Sequence, residues 1–280
     1  MVPGMTRRRV RGARYTSRRA SKSRGMALLA RTGLVARGVM YVIIGWIALQ
    51  IAFGHAGTQA DRSGAVRVVA HTPFGSVALW LLVIGFIGMA LWRLSEAAYG
   101  AAGPGGYKTG TRLAALARAI FYGFVAYSIL KFALGVGSPA SSNQQSVDLT
   151  SSAMRLSAGR LIVAVIGLAF IAGGVYLAYG AWQQKFRKRL ELSRMNTRTR
   201  RTVERLGQIG GIARGTVFAT AGIFLVVAAA RYEPQQAKGV DSTLRALATT
   251  PLGPWLLVIV ALGLITFGVY SLCEARWRRV

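Results

Sequence analysis

Residues 34–53 read LVARGVMYVIIGWIALQIAF, an apolar stretch in which Arg37 carries the one charge. An α-helix rises about 1.5 Å per residue, so about 20 apolar residues are enough to cross a hydrocarbon layer about 30 Å thick. Because lipid offers no partners to backbone amides and carbonyls, such a stretch should be helical. Similar stretches at 75–97, 114–135, 159–182, 212–230 and 252–273 predict six membrane-spanning helices in all.

The positive charge of the chain is segregated from its apolar stretches. The net charge is +28, although 53% of the residues are hydrophobic. Residues 1–37 contain eleven Lys or Arg and no acid, residues 185–214 contain ten, and residues 276–279 are again rich in Arg. A basic soluble protein would suggest a nucleic-acid partner, but basic blocks between apolar stretches are typical of the cytoplasmic segments of membrane proteins. We therefore expect no nucleic-acid partner and a multi-pass membrane protein with both termini in the cytoplasm.

The chain contains an internal repeat of two helices. The first helix of each pair opens with an arginine beside small residues, and the second opens with a glycine. These positions are Arg37, Arg118 and Arg214 in the first helices, and Gly75, Gly159 and Gly253 in the second. Without any gap, the same register aligns Gly85 with Ala169 and Gly263, Trp92 with Tyr176 and Tyr270, and Glu96 with Gly180 and Glu274.

These alignments predict the organisation of the whole chain. We expect repeats at 26–99, 112–184 and 206–280, a basic cytoplasmic linker at 185–205, and a disordered basic cytoplasmic arm at 1–25. Each repeat has an even number of spans, so the three copies share one orientation and can be related by rotation. The predicted fold is an all-α integral membrane protein of three tandem helical hairpins with pseudo-threefold symmetry about the membrane normal.

Residues 30–38, which read ARTGLVARG, and the Pro-Phe-Gly at 73–75 resemble a bacterial family known as domain of unknown function 1206 (DUF1206). Members of that family carry three such helix pairs, so the resemblance covers nearly the whole chain after the basic arm. It implies the same architecture in the plasma (inner) membrane of a bacterium, but no activity. The second repeat departs most from the pattern, with Ser157 in place of Pro, Ala119 in place of Gly and Gly180 in place of Glu.

Charged residues at the cytoplasmic ends of the helices are the first candidate binding residues. Arg37 begins an outward helix and Glu96 ends the returning one, and Arg214 and Glu274 have the same arrangement in the third repeat. We predict that each pair forms an ion pair or a shared hydrogen-bond network, because an isolated charge near hydrocarbon is costly. The second repeat keeps Arg118 without an acid, so Arg118 could hold an anionic lipid headgroup or substrate group. The alternative is that these arginines reach the headgroups without binding anything specific.

Four further candidates lie toward the other face of the membrane. Asp61, Asp148 and Asp241 belong to the three outer loops, and Asp241 opens a stretch that predicts a short capped amphipathic helix. Such acids satisfy free amides at helix starts, although three of them around an axis could also form a vestibule that attracts cations. Lys131, near the outer end of the third span, could line a polar path or extend its stem to the outer interface.

The sequence contains no enzyme signature: there is no phosphate-binding glycine loop, HExxH motif or Ser/His/Asp set. Cys273 is the single cysteine, and His55 and His71 share one loop segment, so we expect no metal site and no cofactor. We expect a non-catalytic scaffold or accessory subunit that binds anionic lipid headgroups of the bilayer or a membrane-protein partner. The alternative is a small channel or transporter with a pathway at the centre of the three hairpins. It is disfavoured because the spans contain few polar residues and no evident helix break.

Overall fold

A computed structural model describes residues 24–55, 57–100, 106–137, 141–156, 158–248 and 253–279. Within these ranges the chain forms nine α-helices, of which six are long and three are short. They are α1 (Arg24–Ala52), α2 (Arg62–Ala70), α3 (Gly75–Tyr99), α4 (Thr109–Ala133), α5 (Ser142–Met154), α6 (Gly159–Trp182), α7 (Thr197–Arg231), α8 (Val240–Ala248) and α9 (Gly253–Trp277). The predicted arm at 1–25 lies outside the described residues, except for Arg24 and Gly25, with which α1 begins.

The six long helices are long and apolar enough to cross a membrane, which confirms the predicted number of spans. The helices α1 and α7 begin well before their apolar stretches. The helix α7 begins at Thr197, where the side chain of Asn196 accepts a hydrogen bond of 2.7 Å from the Thr199 amide. This cap satisfies one of the free amides of the first turn, so the basic segment before the apolar residues is also helical.

The long helices form an open ring in the order α4, α3, α1, α9, α7, α6. The most extensive interfaces join helices of different repeats: α3 with α4, α6 with α7, and α9 with α1. Within the first and third repeats the two helices pack less extensively. In the part of the chain that the structure describes, α4 and α6 of the second repeat form no extensive interface, and the ring is open between them.

Equivalent close approaches of small residues support the pseudo-threefold arrangement. A Cβ atom at Gly268 would lie 2.7 Å from the Gly38 carbonyl oxygen, across the interface of α9 and α1. At the equivalent point between α6 and α7, a Cβ atom at Gly174 would lie 2.6 Å from the Gly215 carbonyl oxygen. Small residues let the helix backbones approach closely where no hydrophobic effect drives association. The register found in the sequence is therefore also the register of the contacts.

The second repeat departs from this symmetry within its own helix pair. In the first repeat a Cβ atom at Gly85 would lie 2.7 Å from the Ala36 Cβ, so α3 and α1 are in contact there. The equivalent residues Ala169 and Ala117 are both exposed, and a Cβ atom at Gly173 would meet nothing within 4 Å. We call the space between Ala117 on α4 and Ala169 and Gly173 on α6 the α4–α6 groove.

The short helices pack into one end of the bundle, which we call the loop end. Val66 of α2 and Leu244 of α8 are fully buried in one core with Ile47 and Val125 of the long helices. The predicted short helix at Asp241 is present as α8, but it begins one residue earlier, at Val240, so Asp241 lies in its first turn and not at its cap. The helices α2 and α5 occupy the corresponding connections. This core includes residues of all the long helices except α6, whose Val163 lies in a separate cluster with Ala228 and Ala229.

Candidate functional site

The opposite end of the bundle, which we call the arginine end, is where α3, α6 and α9 finish. The linker after α6 docks there on the C-terminal segment through an isolated antiparallel bridge between Leu190 and Arg278. The Arg279 amide donates a hydrogen bond of 2.9 Å to the Arg189 carbonyl oxygen, and the Glu191 amide donates one of 2.8 Å to the Trp277 carbonyl oxygen. This pairing brings Arg189 and Arg279 against the ends of the spans.

A buried ion cluster joins the first and last spans at this end. Glu274 accepts from Arg37 Nη2 at 2.6 Å through one carboxylate oxygen and from Arg278 Nη1 through the other. Arg37 Nε also donates to the Ser271 hydroxyl at 3.2 Å. Because the three charged side chains are buried, their mutual pairing is what offsets the cost of removing them from water.

The predicted partners within repeats are wrong. Arg37 pairs with Glu274 of the third repeat, and Glu96 pairs with Arg93 of its own helix at 2.5 Å. The physical reason is the packing order, since α1 lies closest to α9 rather than to α3. Glu274 therefore meets the arginine of the next repeat around the ring, whereas Glu96 stays with the arginine of its own helix.

Arg214 has no carboxylate partner among the described residues, which also corrects its predicted pairing with Glu274. Its guanidinium carbon lies 5.0 Å from the Phe267 ring centroid and 5.4 Å from that of Phe218. Its Nε is buried without a hydrogen-bond partner. If Arg214 paired between α6 and α7 as Arg37 pairs with Glu274 between α1 and α9, its acid would stand at position 180, which is a glycine.

Arg118 lies in a pocket of the arginine end that contains mostly arginines. The pocket is lined by Arg93, Glu96, Thr111, Ala115, Arg118, Arg189, Arg278 and Arg279. We call it the arginine pocket. Arg118 is exposed there and forms no ion pair within the described part of the chain. Its role in anion binding stays a prediction.

Four arginines of the pocket, Arg93, Arg189, Arg278 and Arg279, were not singled out from the sequence as binding residues. Arg93 and Arg278 stand three residues before Glu96 and four residues after Glu274, a spacing that could have indicated intrahelical ion pairs. Their guanidinium carbons lie 4.1 and 4.5 Å from the ring centroid of Trp92. Arg93 is 4% exposed, and its Nε has no hydrogen-bond partner.

At the loop end, hydrogen bonds join the three connections in a cycle. Asp61 accepts from the Ser142 amide at 2.7 Å, and the Ser142 hydroxyl accepts from the Val240 amide at 3.1 Å. Asp241 completes the cycle by accepting from the Ala60 amide at 2.7 Å. We call these five residues the loop-end belt, which ties each repeat to the next.

The predicted acids of the loop end differ in their surroundings. Burial alone would raise the pKa of Asp61, but hydrogen bonds from Ser63, Ser142 and Gly64 outweigh it and lower the pKa below its usual value. Asp148 is exposed and accepts a hydrogen bond from Gln144 at 3.1 Å. Lys131 is exposed in the last turn of α4. The cation-attracting vestibule and the polar path stay predictions.

Comparison with known proteins gives the following matches. The family model described as Domain of Unknown Function (DUF1206) matches residues 32–100, 113–184 and 209–278. A protein of Bacillus subtilis strain 168, named Uncharacterized protein YxxB, is 30% identical over 254 residues, which cover 89% of this chain and 90% of the relative. No solved structure matches the chain. Within the described residues, no group of three or more His, Cys, Asp or Glu side chains gathers as a metal site would require.

Proposed function

This chain belongs to the DUF1206 family, and we propose that it acts as a non-catalytic scaffold or accessory subunit of the bacterial plasma membrane. Its arginine end would bind another membrane component, either a protein partner or an anionic lipid. The three family matches coincide with the three helix pairs, so the proposal concerns a membrane-embedded bundle rather than a separate soluble domain.

The charge of the arginine pocket is the observation that carries this proposal. Five guanidinium groups and a single carboxylate line it, and that carboxylate already pairs with Arg93. A concentration of unpaired positive charge at a membrane boundary attracts anionic groups, and Arg is well suited to bind carboxylate or phosphate through two parallel hydrogen bonds. The pocket is therefore suited to an acidic segment of a partner or to a lipid phosphate.

The distribution of basic residues supports one orientation of the bundle in the membrane. The linker at 185–205 and the C-terminal arginines meet at the arginine end, and Lys and Arg are enriched in cytoplasmic segments. We therefore propose that the arginine end faces the cytoplasm, together with both termini, and that the loop-end belt faces outward.

A channel or transporter is the second candidate, and the interior of the bundle gives it less support. Met40, Ile44, Val125, Leu244 and Leu264 are buried in one continuous apolar core. Channels need a polar or wettable path, and transporters commonly interrupt helices near the midplane to build a substrate site. An apolar core between continuous helices fits a scaffold better.

Photo-crosslinking in native membranes tests the scaffold proposal. A photoreactive amino acid would replace Ser193, which is exposed in the linker at the arginine end, or Gln144, which is exposed at the loop end and serves as the matched control. We expect reproducible adducts of one membrane protein or lipid at Ser193 and not at Gln144. Identical adducts at both positions, or solute flux through vesicles that contain the purified protein alone, would overturn the proposal.

A further inference from the structure

The arginine pocket and the α4–α6 groove both include residues of the first half of α4. Arg118 lines the pocket, and Ala117, the residue before it and one of the three that define the groove, is exposed. We propose that the second repeat binds one anionic phospholipid, with its phosphate among Arg118, Arg189 and Arg279 and its acyl chains in the α4–α6 groove. The inference rests on the proposed function and names the chemistry of the ligand.

The groove exists because α4 and α6 of the second repeat stand apart, whereas the two helices of the first repeat and those of the third are packed together. Tyr176 on α6 is 67% exposed, whereas its equivalents Trp92 and Tyr270 are each 4% exposed. Gly173 stands where the first and third repeats have the larger Met89 and Phe267, and the space beside it is open. The second repeat thus leaves an apolar face of α6 uncovered.

The charge of the pocket selects an anionic occupant. Arg278 is bound to Glu274 and Arg93 to Glu96, so Arg118, Arg189 and Arg279 are the arginines of the pocket that have no acid partner within the described ranges. Arg93 nevertheless keeps a buried Nε without an acceptor. A phosphate carries oxygens on several sides and can accept from more than one guanidinium, which would offset their repulsion.

A phospholipid accounts for both features at once. A free phosphate would neutralise the pocket but leave the groove beside Gly173 and Tyr176 uncovered. A partner helix would cover the groove but would bring no negative charge to Arg118 unless an acid stood at that level. The proximity of a charged pocket and an apolar groove matches a headgroup joined to acyl chains.

The test uses the full-length protein, purified and stripped of lipid in a neutral detergent. Phosphatidylglycerol, phosphatidylcholine and inorganic phosphate would each be titrated, with binding followed by intact-complex mass spectrometry and thermal unfolding. We expect one phosphatidylglycerol to bind and to raise the unfolding midpoint, and phosphatidylcholine to bind more weakly. Equal binding of the two lipids would overturn the proposal.

Three variants separate the headgroup from the chains. Arg118→Gln should weaken phosphatidylglycerol binding about fivefold, as expected for one basic residue near an anionic lipid. Gly173→Leu should weaken phosphatidylglycerol binding by filling the groove. The variant should still fold, because a Cβ atom at Gly173 would meet nothing within 4 Å. Arg201→Gln removes an exposed arginine of α7 outside the pocket and should change nothing. If Arg201→Gln weakens binding as much as Arg118→Gln, the pocket has no specific role.

Two other outcomes identify a different occupant. Competition by inorganic phosphate, with no effect of Gly173→Leu, would reduce the site to one for free anions. A mass that corresponds to a second copy in place of lipid would assign the groove to self-association. The measurement needs no other protein, so lipid binding can fail while the crosslinking at Ser193 succeeds, and the reverse.

Discussion

At the scale of single residues, Glu274 is the most consequential charge in the bundle. It is buried and forms ion pairs with two arginines, Arg37 from the first span and Arg278 from the C-terminal segment. Removing one member of a buried ion cluster costs more than the cluster itself contributes, because the remaining charges stay buried without partners.

Glu274→Gln should therefore lower the free energy of unfolding by about 3 to 5 kcal/mol. The measurement is the midpoint of thermal unfolding in detergent micelles, compared with Glu233→Gln, which changes an exposed acid of the loop end. A midpoint for Glu274→Gln equal to that of Glu233→Gln would show that Arg37 and Arg278 do not depend on the carboxylate.

Arg214 offers the converse experiment, because a carboxylate can be added. Gly180→Glu should supply the missing acid between α6 and α7 and stabilise the protein by about 1 kcal/mol relative to Gly180→Gln, which controls for the loss of glycine. A Cβ atom at this position would meet only Lys185, at 3.9 Å, so there is room. In an Arg214→Gln background the difference between the two variants should disappear. Persistence of the difference would assign it to Lys185.

The sequence predicts which residues carry charge at the arginine end but not which of them meet. The spacing of Arg37, Glu96, Arg214 and Glu274 follows from the repeat. Glu96 and Glu274 lie in the last turns of α3 and α9, whereas Arg37 and Arg214 lie near the middle of the longer helices α1 and α7. Their partners depend on which helices are neighbours in the ring, and the hydropathy of a helix does not encode its neighbour. Arg37 therefore reaches Glu274 in the structure, whereas the sequence favoured Glu96.

At the scale of elements, the interfaces between repeats hold the bundle together. The helices α6 and α7 approach so closely at Gly174 and Gly215 that a side chain at either position has no space. The spans themselves could be predicted from hydropathy, since length and composition decide membrane crossing. The short helices α2 and α5 could not, because their few apolar residues are buried only after the bundle has formed.

Gly174→Leu and Gly173→Leu form a matched pair for testing this interface. The first would place a Cβ atom 2.5 Å from the Ala219 backbone nitrogen, and the second would place one in open space. We expect Gly174→Leu to destabilise the protein by several kcal/mol or to prevent its purification as a single species, as overpacking does. Gly173→Leu should unfold near the wild-type temperature. Similar behaviour of the two variants would mean that α6 and α7 are not in close contact.

At the scale of the whole molecule, the loop-end belt connects the three repeats outside the spans. Asp61 has a lowered pKa in the folded protein, so it contributes stability above its unfolded value near pH 4 and loses that contribution as the pH falls through the native pKa. We expect the wild-type unfolding midpoint to drop between pH 5 and about pH 2, and Asp61→Asn to be less stable at pH 5 with a smaller drop. Asp148→Asn, which changes an exposed acid, should keep the wild-type profile. An unchanged slope for Asp61→Asn would remove Asp61 from the belt.

The threading of three hairpins through the membrane is tested most directly by cysteine accessibility in intact cells. The background is Cys273→Ser, which removes the single cysteine, and each test protein carries either Gln144→Cys at the loop end or Ser193→Cys at the arginine end. With a membrane-impermeant maleimide, we expect Gln144→Cys to be labelled in intact cells and Ser193→Cys to be labelled only after lysis. Labelling of both positions in intact cells would contradict the six-span arrangement, and labelling of Ser193→Cys alone would reverse its orientation.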